Sequence, residues 1–229
     1  MNRLDALKNR HIRERCVLVA NGPSLNAMDL SFLKHEIVFG LNKIHLGLEK
    51  FGFYPKYYAA VNEKVIQQSA KEIHRMGCIK FIGSKGGNIV PESALTYHIN
   101  TANPPARFCS DISLGVHEGW TVTYVALQIA YFLGFSEIIL IGLDHRYIYD
   151  GKPNETRQLK GPDQNHFSPS YFGYGQHWDN PDLSNSEESY RIAKAHFDDN
   201  GRRIIDATVD GACEIFPKAD YKKIFLSQR

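Results

Sequence analysis

Val17-Leu18-Val19-Ala20-Asn21-Gly22-Pro23-Ser24-Leu25 is the stretch that decides the fold. Four apolar residues run without alternation into a small polar turn. A strand that is apolar throughout has both faces covered, which is the habit of parallel sheets in α/β proteins. In such sheets ligands bind beyond the carboxyl ends of the strands, where loops leave a crevice and helix N-termini offer unpaired N–H groups. The turn falls at that end. Asn21 and Ser24 bring polar side chains, and Gly22, followed by Pro23, leaves room for a ligand against the backbone. The plainer alternative is a strand-to-helix turn capped by Ser24. The stretch is neither the Gly-x-Gly-x-x-Gly dinucleotide fingerprint nor a P-loop.

Outward from this turn, the same design repeats. Residues 36–42, 57–62, 78–83, 137–144 and 203–208 read as further short apolar strands. Residues 30–33, 63–76, 121–133 and 187–200 read as helices, with Gly134 and Gly201 as C-terminal stops. Strand and helix alternate, so residues 1–229 are expected to form a single Rossmann-like α/β domain with a mostly parallel sheet flanked by helices. Residues 146–185 break the pattern. They are rich in Tyr, Gly, Pro, Asn and His without periodicity, and read as a lid or acceptor loop. Residues 212–225 form a weak last element with a solvated basic tail.

With 229 residues, 43% hydrophobic and 23% charged, the chain can build a sizeable core. A formal charge of +2 without a dense Lys/Arg stripe argues against a nucleic-acid partner. Four scattered cysteines suggest reduced thiols rather than a zinc ribbon or a disulfide framework. The charged first residues lack the apolar core of a signal peptide, and no later run reaches membrane-spanning length. The expected location is cytoplasmic, with any membrane contact peripheral and on the inner face. A homo-oligomer is compatible with the sequence.

Asn21, Asn42, Asn62 and Asp144 each end an expected strand, so three amides and one carboxylate converge on one rim. Amides read a base, ribose or sugar without adding charge. The bland explanation is that Asn and Asp begin turns, which accounts for one case better than for four.

This pattern resembles the bacterial sialyltransferases of glycosyltransferase family 42 and the related MptE-like family, formerly a domain of unknown function. In the sialyltransferases a first strand ends in Asn-Gly-Pro-Ser-Leu, matched by Asn21 to Leu25, and later Asn-bearing strand ends are similar to Asn42 and Asn62. The resemblance implies that these positions contact a cytidine monophosphate donor. The family's Thr-Ser-Gly helix opening is similar to Thr121, Val122 and Thr123, and its following Asp to Asp144. Two phosphate-binding tyrosines of the family fall near Arg146, Tyr147 and Tyr149, of which Arg146 could itself clamp a phosphate. The family's general base lies in a His-x-x-Asn-x-Asp context, similar to His177-Trp178-Asp179-Asn180-Pro181-Asp182; His166 is a second candidate. Tyr171, Tyr174 and Trp178 could stack on a ligand or pack the loop onto the body.

The resemblance implies an inverting, metal-independent glycosyltransferase with a histidine base and no cofactor. It would move a sialic-acid-like (nonulosonic) sugar from a CMP-sugar donor to a hydroxyl of a glycan or glycolipid acceptor in polysaccharide biosynthesis. His145 beside Asp144 is a weak metal signal. Two other readings stay open. One is the 6-hydroxymethylpterin pyrophosphokinase reaction, needing ATP and magnesium, for which Asp144, Asp163 and Asp179 are the available ligands. The other is a non-catalytic nucleotide-sugar sensor.

Overall fold

The computed structural model describes residues 3–102 and 107–226. In chain order the elements are β1 (Arg15–Val19), β2 (Val38–Leu41), α1 (Leu48–Phe51), β3 (Tyr57–Ala60), α2 (Glu63–Arg75), β4 (Ile79–Gly83), β5 (Thr96–Ile99), β6 (Thr101–Ala102), β7 (Val116–His117), α3 (Val122–Phe132), β8 (Glu137–Ile141), β9 (Thr156–Gln158), β10 (His177–Asp179), α4 (Leu183–Asp199), β11 (Arg203–Asp206) and α5 (Tyr221–Phe225), joined by short 3₁₀ turns. Seven strands make one sheet in the order β11-β8-β1-β2-β3-β4-β5, every neighbouring pair parallel. This is the expected Rossmann-like α/β domain.

The apolar strands are covered on both faces. In β1, Cys16 and Leu18 join one core with α3 and α4 residues such as Leu127, Ala193 and Phe197. Val17 and Val19 point the other way, into a core shared with Val65, Ile66 and Ile73 of α2. β8 divides identically, Ile138 and Leu140 against Ile139 and Ile141, so the period-2 direction of strand side chains is kept even though no position after the first, Arg15 in β1 and Glu137 in β8, is charged.

The order of the strands places the site. From β1 the chain lays strands outward to β5, then returns through α3 to set β8 and β11 on the other side of β1. The loops after β1 and β8 therefore leave the sheet at a reversal of strand order, the place where open α/β sheets form their ligand crevice. The two loops are tied together by the hydrogen bonds Ala20 N–H to Ile141 O and Gly22 N–H to Gly142 O, both 2.9 Å.

Three details differ from the sequence expectation. First, α4 starts at Leu183, because Asp182 caps it by accepting from Asn185 N at 3.1 Å, so residues 183–185 belong to the helix and not to the lid. Second, the lid is not wholly irregular, since β9 and β10 pair antiparallel within it. Third, β5 is an additional edge strand whose Thr96-Tyr97-His98-Ile99 carries too few apolar residues to stand out. The four cysteines are free thiols. Among the described residues no helix is long and apolar enough to cross a membrane.

Candidate functional site

A cleft of about 690 Å³ opens at the carboxyl ends of β1, β2, β3 and β8, roofed by the segment between β8 and α4. Its lining includes Asn21, Gly22, Asn42, Asn62 and Asp144 from the strand ends, Thr121, Val122 and Thr123 from the start of α3, and Tyr147 and His166 from the lid. Pro23, Ser24, Arg146, Tyr149 and His177 are not part of it.

The polar strand ends do different jobs. Asn21 is 8% exposed and donates Nδ2 to Leu41 O at 3.1 Å, clamping the end of β1 to β2. Asn42 takes a left-handed backbone at φ +46°, which asparagine tolerates better than most residues. Asn62 caps α2, its Oδ1 accepting from Val65 N at 3.2 Å. The amide oxygens of Asn21, Asn42 and the lid's Asn180 are buried without a hydrogen-bond partner among the described residues. Asn180 also lines the cleft, and its Nδ2 is fixed by Asp150 O at 2.8 Å and Lys152 O at 3.0 Å. An unpaired buried acceptor costs about 1–3 kcal/mol, and three of them belong to residues that line this one cleft.

The first turn is built differently from its sequence reading. Ser24 does not cap the 3₁₀ turn Pro23–Ala27; the N-cap is Gly22. Ser24 instead donates its N–H at 2.9 Å and its hydroxyl at 2.6 Å to the two oxygens of Asp144, 120 residues away. A Cβ on Gly22 would stand 1.9 Å from Asp144 Oδ2, so the space expected for a ligand is filled by that carboxylate. Burial pushes the Asp144 carboxyl above its ordinary value, outweighing the Ser24 hydrogen bonds.

The two candidate histidines separate. His177 is exposed on β10. His166 lines the cleft, with Nδ1 2.8 Å from Asp163 Oδ2 and its ring stacked at 3.7 Å on Tyr171. Asp163, 6% exposed, also accepts from Asn165 N at 2.8 Å and Phe172 N at 3.2 Å. Burial pushes its carboxyl up, but these hydrogen bonds and the imidazole outweigh it and hold the group below its ordinary value. The imidazole is thus fixed through Nδ1, leaving Nε2 for the cleft, the disposition a general base requires. The Asp163-x-x-His166 spacing was the available signal, although the sequence alone suggested Asp163 only as a magnesium ligand.

Sequence reasoning also missed Lys43. It is 3% exposed, and its Nζ donates to Tyr171 O at 2.6 Å, Gln68 Oε1 at 2.7 Å and Gln176 Oε1 at 3.1 Å, above the Phe172 ring at 4.6 Å. Burial lowers its pKa to about 8. The ammonium pins the lid to the end of β2 and to α2. Tyr171 and Trp178 are buried and pack the lid, whereas Tyr174 is 83% exposed.

The carboxylates considered for magnesium are each engaged by protein donors. Asp144 holds Ser24, Asp163 holds His166, and Asp179 accepts from Lys64 Nζ and Thr156 Oγ1, both at 2.5 Å. Among the described residues no group of three or more His, Cys, Asp or Glu side chains is placed to hold a metal ion. Arg146 lies outside the cleft and donates to Asp210 O at 3.3 Å.

A parallel α/β sheet with a polar cleft at its switch point defines a Rossmann-like protein. The chain belongs to the family described as 6-hydroxymethylpterin diphosphokinase MptE-like, whose model matches residues 1–150. Its fold is similar to that of the MAf glycosyltransferase from Magnetospirillum magneticum AMB-1, at a TM-score of 0.57 and 14% identity, over 93% of this chain and 34% of that one. The chain therefore spans about a third of that structure's length. No curated protein matches it by sequence.

Proposed function

We propose that this chain is a glycosyltransferase that moves a nonulosonic sugar from a CMP-activated donor to a glycan hydroxyl, with inversion and with His166 as general base. The observation that carries the reading is the meeting, in one cleft, of three unpaired amide acceptors with an imidazole fixed by a buried carboxylate. The amides of Asn21, Asn42 and Asn180 suit donors such as ribose hydroxyls, sugar hydroxyls or the amino group of a base. The acceptor hydroxyl would approach His166 Nε2 and lose its proton there as it attacks the anomeric carbon. Direct displacement inverts that centre, and the nucleotide phosphate leaves with the bonding pair.

His177, exposed outside the lining, is the lesser candidate. The family's printed description supports a second reading, pyrophosphoryl transfer from ATP with magnesium. Engagement of Asp144, Asp163 and Asp179 by protein donors weighs against a shared magnesium cluster. Titration calorimetry with CMP, CDP, UDP, ADP and ATP, each with and without magnesium, separates the two. Selective binding of CMP that magnesium does not strengthen supports the first; a requirement for ATP and magnesium removes it.

A further inference from the structure

The lid's rings are spent in packing: Tyr171 and Trp178 belong to the core beneath it, and Tyr174 stands outside the cleft lining. Trp120 is different. It lines the cleft and is only partly buried. The other aromatic residues of the lining, Tyr147, Tyr171, Phe172, Trp178 and Tyr190, are all in or against one of the two cores. Among the described residues Trp120 is the one lining aromatic that joins neither core, and its indole meets no other ring and no hydrogen-bond partner.

Its backbone is equally unusual. Thr121 N–H donates to Glu118 O at 3.2 Å, closing a tight turn whose two central residues, Gly119 and Trp120, are left-handed at φ +56° and +60°. Gly, Asn and Asp dominate such paired left-handed positions, and a bulky aromatic there is an outlier. Gly119 has a local reason, since a Cβ on it would stand 2.3 Å from Tyr124 Cδ1. Trp120 has none, because the turn does not need an indole and the core does not receive it. A strained residue that packing does not use points to a ligand.

We infer that Trp120 is the stacking platform of the cleft, its indole lying against the flat face of a nucleobase. The inference deepens the nucleotide-donor reading and rests on it only for the presence of a base. Trp120 directly precedes Thr121, the cap of α3, and so belongs to the body with the strand-end amides and not to the lid that brings His166. A base suits this place because its face stacks without a polar partner, while its in-plane N–H groups suit acceptors such as the Oδ1 atoms of Asn21 and Asn42. A saturated sugar ring needs hydroxyl partners beside the indole. Glu118, two residues earlier in the same lining, is already committed, both its oxygens accepting from Lys85 Nζ at 3.2 and 3.4 Å. Stacking tolerates any base, so Trp120 sets affinity for nucleotides as a class.

The test is calorimetry with CMP, AMP and ribose 5-phosphate, the last carrying the sugar phosphate without a base. Trp120→Gly removes the indole and relieves the left-handed backbone, so its Tm should be no lower than that of the unaltered chain. Its affinity for CMP should nevertheless fall by about tenfold. Affinity for ribose 5-phosphate should stay within about twofold. Trp120→Phe keeps an aromatic face and should hold CMP within about threefold of the unaltered chain; Trp120→Leu, apolar but without a π-face, should lose about tenfold. Unchanged CMP affinity in Trp120→Gly, or in Trp120→Leu should the glycine variant fail to fold, overturns the assignment and leaves the CMP-donor reading standing. The same pattern carried by AMP in place of CMP removes the CMP-donor reading and leaves Trp120 in its role. Equal losses of nucleotide and ribose 5-phosphate mark a structural effect and overturn the assignment, as does a chain that binds no nucleotide more tightly than ribose 5-phosphate.

Discussion

The two walls of the cleft are built on different physical terms. The sheet wall is held by apolar burial on both faces, so its polar residues, Asn21, Asn42 and Asp144, are delivered as the ends of strands whose positions the core has already set. The lid wall has only a few buried aromatics, and its shape hangs on two buried charges: Asp163, which gathers His166, Asn165 and Phe172, and Lys43, which pins Tyr171 and Gln176. Loss of one polar atom should therefore disturb the lid wall far more than the sheet wall. The imidazole proposed as general base is placed by the less redundant of the two.

Variants that act on one wall at a time probe this contrast. The largest effect is expected from Asp163→Asn. It removes the charge that three donors share and offers an N–H to one of them. Stability should fall by about 2–4 kcal/mol. Transfer should fall by on the order of 10²–10⁴ because His166 loses its fixed tautomer. Denaturant unfolding and a transfer assay check both, and wild-type activity in this variant would break the contrast.

Gly22→Ala tests the sheet wall. Its Cβ, 1.9 Å from Asp144 Oδ2, must displace the carboxylate or the turn. The expected cost is about 1–3 kcal/mol, read as a Tm lower by roughly 3–10 °C. The rest of the wall stays in place because the core fixes it.

The smallest effect is pH-dependent and lies away from the cleft. Burial lowers the pKa of His11, which hydrogen-bonds Tyr57 at 2.7 Å and stacks on Phe135. The unfolded chain takes up a proton at the ordinary imidazole value of about 6.5, while folded His11 stays neutral to lower pH. Stability from this group is thus present above pH 6.5 and is lost as pH falls below it. Thermal melts between pH 7 and 5 should show a shallower acid decline in His11→Gln.

The same division explains what the sequence discloses. Apolar runs such as 138–141 and the polar residues ending them are visible because burial on both faces suppresses alternation, and their convergence follows from the parallel topology. Asp144 is visible as a strand end, but its engagement with Ser24 across 120 residues is not. The lid yields less. β9 and β10 have three residues each, too few for a period, and nothing local to Lys43 announces that its ammonium is buried against residues 171 and 176. The sequence resemblance names His177 first and His166 second, and only the contact with Asp163 and the place in the cleft favour His166.

The central claim is that His166 acts on the acceptor while the sheet wall holds the nucleotide, and one paired measurement tests it most directly. His166→Ala and His177→Ala are compared with the unaltered chain for transfer from a CMP-activated nonulosonic sugar and for CMP affinity. The account predicts that His166→Ala loses on the order of 10²–10⁴ in transfer rate with CMP affinity within about threefold of the unaltered chain, and that His177→Ala transfers normally. Normal transfer by His166→Ala, or loss of transfer confined to His177→Ala, would contradict it.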